Sequence, residues 1–193
     1  MQKADVKVIQ ALLDYNNLRL SIRGLAKILK KDYKNMHNII MRLANNNIVV
    51  LEPFGNAHKV TLVKKPHPYI FEAEHNRRED ILRNKTIRAV LSYYNNMSTV
   101  FFVLLLFGSY AKRNPTRHSD IDLLFIIPDG LEEIMNKEIM SISSTIPLPL
   151  HINVFNETEF KSMSMSKEFT VGSEAINNNI ILHGTEYFYE MIR

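Results

Sequence analysis

The 193-residue sequence predicts an α+β chain of two modules: three helices and a β-hairpin, then a small mixed sheet flanked by helices. Three observations carry that prediction. Apolar residues recur at helical spacing through the first third and give way to two short β-branched runs around a turn. A proline-containing break, Lys64-Lys65-Pro66-His67-Pro68, then interrupts any helix or strand. Beyond it, continuous apolar runs of strand length alternate with helical stretches, the pattern of strands buried on both faces.

In the first module, Val8, Ile9, Leu12 and Leu13 define the buried side of a first helix. Ser21 is placed to cap a second helix that turns Leu25, Ile28 and Leu29 inward. Asp32 is placed to cap a third, with Met36, Ile39, Ile40 and Leu43 on its buried face. Ile48–Leu51 and Val60–Val63 read as short strands around the turn-forming Pro53-Phe54-Gly55-Asn56. Three helices with a tight connection between the second and third, followed by a hairpin, resembles a winged helix-turn-helix over residues 1–66. The resemblance implies that the third helix meets DNA with its outward face, Lys34, Asn38, Met41 and Asn45, flanked by His37 and Arg42. His58 and Lys59 would serve as a wing. Winged helices also serve as protein-binding modules, and that reading stays open.

Charge agrees with a polyanionic partner for this module. Residues 1–66 hold 12 Lys+Arg against 4 Asp+Glu, whereas residues 67–193 hold 12 against 16. The hydrophobic fraction of 46% and charged fraction of 23% are those of a folded globular chain. The absence of cysteine excludes disulfide frameworks, thiolate metal sites and cysteine nucleophiles. The opening MQKADVKVIQALLDYNN lacks the apolar core of a signal peptide, and the run Val100–Phe107 is too short to cross a bilayer. A cytoplasmic location and no membrane partner are the expectation.

The second module spans 67–193. Residues 67–96 read as one long leading helix or two joined ones, with Ile81, Leu82, Ile87, Val90 and Leu91 inward. Thr99–Phe107 is a buried strand ending at Gly108, Ser109–Lys112 begins a turn or short helix, and Ile121–Ile127 is the next strand. Helices at Leu131–Ser144 and from Glu157 frame a third strand, Leu150–Phe155. Phe160, Met163, Met165 and Phe169 read as helix packing.

The chemistry concentrates in GSYAKRNPTRHSDIDL, residues 108–123. Asp120 and Asp122 project together from one strand entrance, since alternate residues of a strand share a face. Two convergent carboxylates repel unless a cation lies between them, and hard oxygen ligands of this kind suit Mg²⁺. The Gly-Ser turn offers backbone N–H groups and a hydroxyl to phosphate oxygens. Gly108-Ser109, Ala111, Ser119-Asp120, Asp122 and Leu123 at this spacing resemble the signature of the polymerase-β-like nucleotidyltransferase superfamily, particularly its minimal members.

The resemblance implies that Gly108, Ser109 and Ser119 bind a nucleoside triphosphate, with Lys112 or Arg117 adding positive charge. Asp120 and Asp122 would hold Mg²⁺ and act catalytically, as a nucleoside monophosphate passes to an acceptor. Two positions depart from the pattern. Arg113 stands where the family usually has a second glycine. The strand expected to carry a third carboxylate, PLHINVF, offers His151 and Asn153 instead, with Glu157 and Glu159 beyond it. A transferase with a nucleic-acid module is therefore one expectation. A nucleotide-binding regulator that no longer transfers is the second. An antitoxin-like protein paired with a helical toxin-like partner is the third. A two-fold DNA site would make the chain a homodimer.

Overall fold

The computed structural model describes residues 3–16, 18–165 and 171–192, and resolves into two compact units, the first ending at Asn76 and the second spanning Arg77–Ile192. The division falls inside a helix rather than at Lys64–Pro68.

The first unit runs α1 (Lys3–Asp14), α2 (Ile22–Ile28), α3 (Tyr33–Asn45), β1 (Val49–Phe54) and β2 (Ala57–Leu62). Ser21 caps α2 by accepting from the Gly24 N–H at 3.1 Å, and Asp32 caps α3 by accepting from Asn35 N–H at 2.8 Å. Val8, Ile9, Leu25, Met36, Ile40, Leu43 and Ile48 are fully buried and form the core. Each contributes about 1.5–3 kcal/mol of transfer free energy. The antiparallel hairpin turns at Gly55–Asn56, with Phe54 opposite Ala57, so its strands reach further into the predicted loop than expected. Leu20–Ser21 runs beside β2, through a Ser21–Lys59 bridge and a 2.8 Å bond from Val60 N–H to the Leu20 carbonyl.

The leading segment is two helices, α4 (Pro68–Ile81) and α5 (Lys85–Tyr93). They break at Asn84, whose Oδ1 accepts from the Thr86 and Ile87 N–H groups and restarts the helix. The second unit continues with β3 (Val103–Phe107), α6 (Gly108–Ala111), β4 (Ile121–Ile127), α7 (Glu132–Ser144), β5 (Leu150–Asn156), α8 (Glu157–Met165), α9 (Val171–Asn177), β6 (Ile180–His183) and α10 (Thr185–Met191). The sheet order is β5-β4-β3-β6; β4 and β5 are parallel, and β3 is antiparallel to both its neighbours. This is the mixed sheet the sequence predicts.

Strand β3 is shorter than expected. Thr99–Phe102 leaves the sheet because Glu138 accepts from Ser98 N–H and hydroxyl, and Phe102 N–H turns back to the Val100 carbonyl. Val100 and Phe101 are 68% and 71% exposed as a result.

One face of the sheet, with Leu104, Leu106, Leu123, Phe125 and Leu182, packs on Ile87, Val90 and Leu91 of α5 and Met135 and Ile139 of α7. The alternate residues Leu105, Leu124 and Ile126 are also buried, and α8, α9 and α10 lie against strands β3, β4 and β5. Burial on both faces accounts for the unbroken apolar runs. Phe160 is fully buried and Met163 half-buried, while Phe169 and the Met165 side chain lie outside the described residues.

Candidate functional site

The site forms where β3 ends and β4 and β5 begin. Phe107 pairs with Asp122 across the antiparallel ladder, and Asp122 pairs with His151 across the parallel one. Strand alternation sends Asp122 to the face opposite the α5–α7 layer, with Leu124 and Ile126 behind it. His151 and Asn153 share that face on β5.

Gly108 is fixed by its neighbour as well as by its backbone. Its φ of +66° is left-handed, which costs an L-residue with a side chain. A Cβ there would also overlap Asp122 Oδ2, standing 2.8 Å from the carboxylate carbon and 3.2 Å from Asp122 Cβ. The carboxylate therefore rests directly on the glycine of the turn. Lys112 N–H closes α6 onto the Gly108 carbonyl at 3.1 Å, and Asn114 N–H reaches the Ser109 carbonyl at 3.0 Å.

The Asp122 side chain is 22% exposed, and its Oδ1 lies 3.2 Å from His151 Nδ1, within reach to accept a hydrogen bond from an Nδ1–H. The His151 side chain is 60% exposed, which leaves Nε2 on the open side. Asp120, one residue ahead of β4, is exposed. Asn153 Nδ2 is buried with no hydrogen-bond partner.

Neither downstream glutamate reaches this end of the sheet. Seven residues of β5, at about 3.3 Å each, span about 20 Å between His151's end and the α8 junction. There Glu157 accepts from the Tyr187 hydroxyl and pairs with Lys161, and Glu159 accepts from Asn156 N–H. Among the described residues no group of three or more His, Asp or Glu gathers around one point that could hold a metal.

The other expected nucleotide contacts are placed differently. Lys112 is ion-paired with Glu174 of α9 at 2.8 Å. Ser119 closes its own loop, accepting from Thr116 N–H at 2.8 Å. Arg117 is exposed. Arg113 has a left-handed φ of +57°, which explains why a glycine suits this position. Its guanidinium reaches to 4.0 Å from Asp80.

In the first unit, Lys34, Asn38 and His58 are exposed, and His37 sits beside Tyr33 with ring centroids 6.1 Å apart. Arg42 is engaged instead: both its Nε and Nη2 donate to Asp5, which is 1% exposed. That pairing pushes the guanidinium pKa up still further. Lys59 lies 3.6 Å from Glu52 in a loose surface pair. Sequence reasoning missed Arg23, Tyr33 and Asn56, which with Ser21 and His58 line a concavity of about 320 Å³. Only the folded hairpin brings Asn56 and His58 to the start of α2.

Among the described residues, no helix is long and apolar enough to cross a membrane. Searches of curated proteins and of solved structures return no match. A family model, described as polymerase beta, nucleotidyltransferase, matches residues 85–186, more than half of the 193 residues. That span runs from α5 to the start of α10 and contains the Gly108–Asp122 seat together with Asp120. The chain thus belongs to the polymerase beta nucleotidyltransferase family.

Proposed function

We propose that the second unit transfers a nucleoside monophosphate from a nucleoside triphosphate to an acceptor at Gly108, Ser109, Asp120 and Asp122. The seat of Asp122 on Gly108 carries this reading. With no Cβ between them, backbone N–H groups suited to phosphate oxygens and a carboxylate suited to a cation meet in one turn. A solvated strand entrance has no need of that arrangement.

The donors fit one Mg²⁺, because Asp122 Oδ2 is not the oxygen engaged by His151 and Asp120 is open to solvent. Mg²⁺ is commonly held by one or two carboxylates together with substrate phosphates. When bound, the ion would neutralise charge developing on the α-phosphate as pyrophosphate leaves. The chain's own residues do the remaining work. The Gly108–Ser109 turn holds phosphate oxygens, and His151 orients Asp122 through its Nδ1–H. The bound triphosphate is thereby aligned for an acceptor hydroxyl oxygen to bond the α-phosphorus, its proton passing to solvent, while the α–β bridging bond breaks and pyrophosphate leaves.

A second reading is favoured by one observation: His151 and Asn153 occupy the strand where a third acid would sit. On that reading the site binds nucleotide without transfer and the chain is a nucleotide-responsive regulator. The two separate with α-labelled triphosphates, Mg²⁺ and a cell extract as acceptor source, comparing the native chain with Asp122→Asn. Label on a macromolecule with the native chain alone supports transfer. Nucleotide bound but never transferred supports the regulator.

We also propose that the first unit is a winged helix-turn-helix that binds nucleic acid. Its support is the order of three helices and a hairpin, the Leu20–Ser21 segment beside β2, and the local excess of basic residues.

A further inference from the structure

Two of the basic residues expected on the groove-facing side of the first unit are engaged elsewhere, while Lys34 of α3 stays exposed. On α3 and the hairpin, Arg42 is committed to the buried Asp5 and Lys59 leans on Glu52. Arg23 and His58, both exposed, instead flank the concavity of about 320 Å³. A volume near the lower end of small-ligand sites, about 300–1,000 Å³, has room for one nucleotide and not for a duplex.

The walls carry the groups that one nucleotide would use. Tyr33 is 53% exposed, so much of its ring is open for stacking. Asn56, at the hairpin tip, offers an amide that both donates and accepts, as a base edge requires. Next to it Phe54 is 48% exposed, with the Arg19 guanidinium 5.2 Å from its ring centroid. An exposed aromatic with an arginine over it is a second platform for a base. Duplex DNA hides its base faces and would leave both rings unused.

We propose that this concavity seats an unpaired nucleotide of a single nucleic-acid strand. Tyr33 stacks on the base, Arg23 and His58 meet the flanking phosphates, and Phe54 with Arg19 supports the adjoining base. This rests on the reading of the first unit as a nucleic-acid binder and narrows it to single strands.

The test is fluorescence anisotropy of the full chain with labelled single-stranded DNA, single-stranded RNA and duplex DNA, each about 12 nucleotides long, within the span that stacking grooves cover. The expected result is tighter binding of a single strand than of the duplex by about tenfold or more. Tyr33→Ala should weaken it by about 5- to 100-fold, while Tyr33→Phe keeps the ring and binds as the native chain does. Arg23→Ala should lower the slope of log K against log salt by about 0.7, one phosphate contact. Either sugar satisfies the proposal, and the DNA-to-RNA ratio identifies the strand. Duplex binding as tight as single-strand binding, with Tyr33→Ala neutral, overturns the proposal and leaves nucleic-acid binding standing. Binding to none of the three overturns both.

Discussion

Replacing Gly108 by alanine probes the seat of Asp122 from the backbone side. Two costs add. A left-handed φ of +66° in a residue with a Cβ costs about 1–2 kcal/mol. The new methyl would also overlap Asp122 Oδ2 and press on the carboxylate carbon at 2.8 Å, so the side chain must swing away. Swinging away breaks the hydrogen bond to His151, worth about 0.5–1.5 kcal/mol net. The expected total is about 2–3 kcal/mol, measured by urea denaturation followed by circular dichroism, since the chain has no tryptophan. In an Asp122→Ala background the overlap with the carboxylate is gone, leaving the backbone cost of about 1–2 kcal/mol and the 3.2 Å approach to the remaining Cβ. The double-mutant cycle should therefore show a coupling of about 1 kcal/mol. Equal cost in both backgrounds, or no cost in either, would refute the placement of the carboxylate on the glycine.

Further expectations come from the same contacts. Arg113→Gly relieves a left-handed residue and should stabilise the chain by about 1 kcal/mol, read as a raised melting temperature. Arg42→Ala leaves the buried Asp5 carboxylate without its partner and should cost about 2–3 kcal/mol in chemical denaturation; Asp5→Asn in the same chain should recover part of it. The Asp129 carboxyl is held below its ordinary pKa by the Thr158 hydroxyl and N–H. Its folded pKa is thus below its unfolded one, so the stabilisation is present above the ordinary carboxylate range and is lost as pH falls through the depressed value. Thr158→Val should raise the Asp129 pKa measured by NMR titration and flatten that acid loss.

Much of this was legible because local chemistry and tertiary structure agree. Ser21 and Asp32 cap the helices that their positions indicate, and Ile121–Ile127 is a strand to the residue. The Gly108-Ser109 and Asp120/Asp122 elements could be read from spacing, since a strand, a turn and a strand entrance are local. What could not be read was pairing across the fold. Nothing around Arg42 announces Asp5, 37 residues earlier, and nothing around Lys112 announces Glu174. The retreat of Thr99–Phe102 from the sheet depends on Glu138, on a helix that follows two strands later. The register that sets His151 beside Asp122 likewise exists only once β4 and β5 lie parallel.

The most direct measurement is a crystal structure with a non-hydrolysable nucleoside triphosphate and Mn²⁺, whose anomalous signal marks the metal. The expected density has phosphate oxygens at the Gly108–Ser109 turn and the ion between them and Asp120 and Asp122. A nucleotide bound elsewhere, or a metal that ignores the two aspartates, would contradict the account.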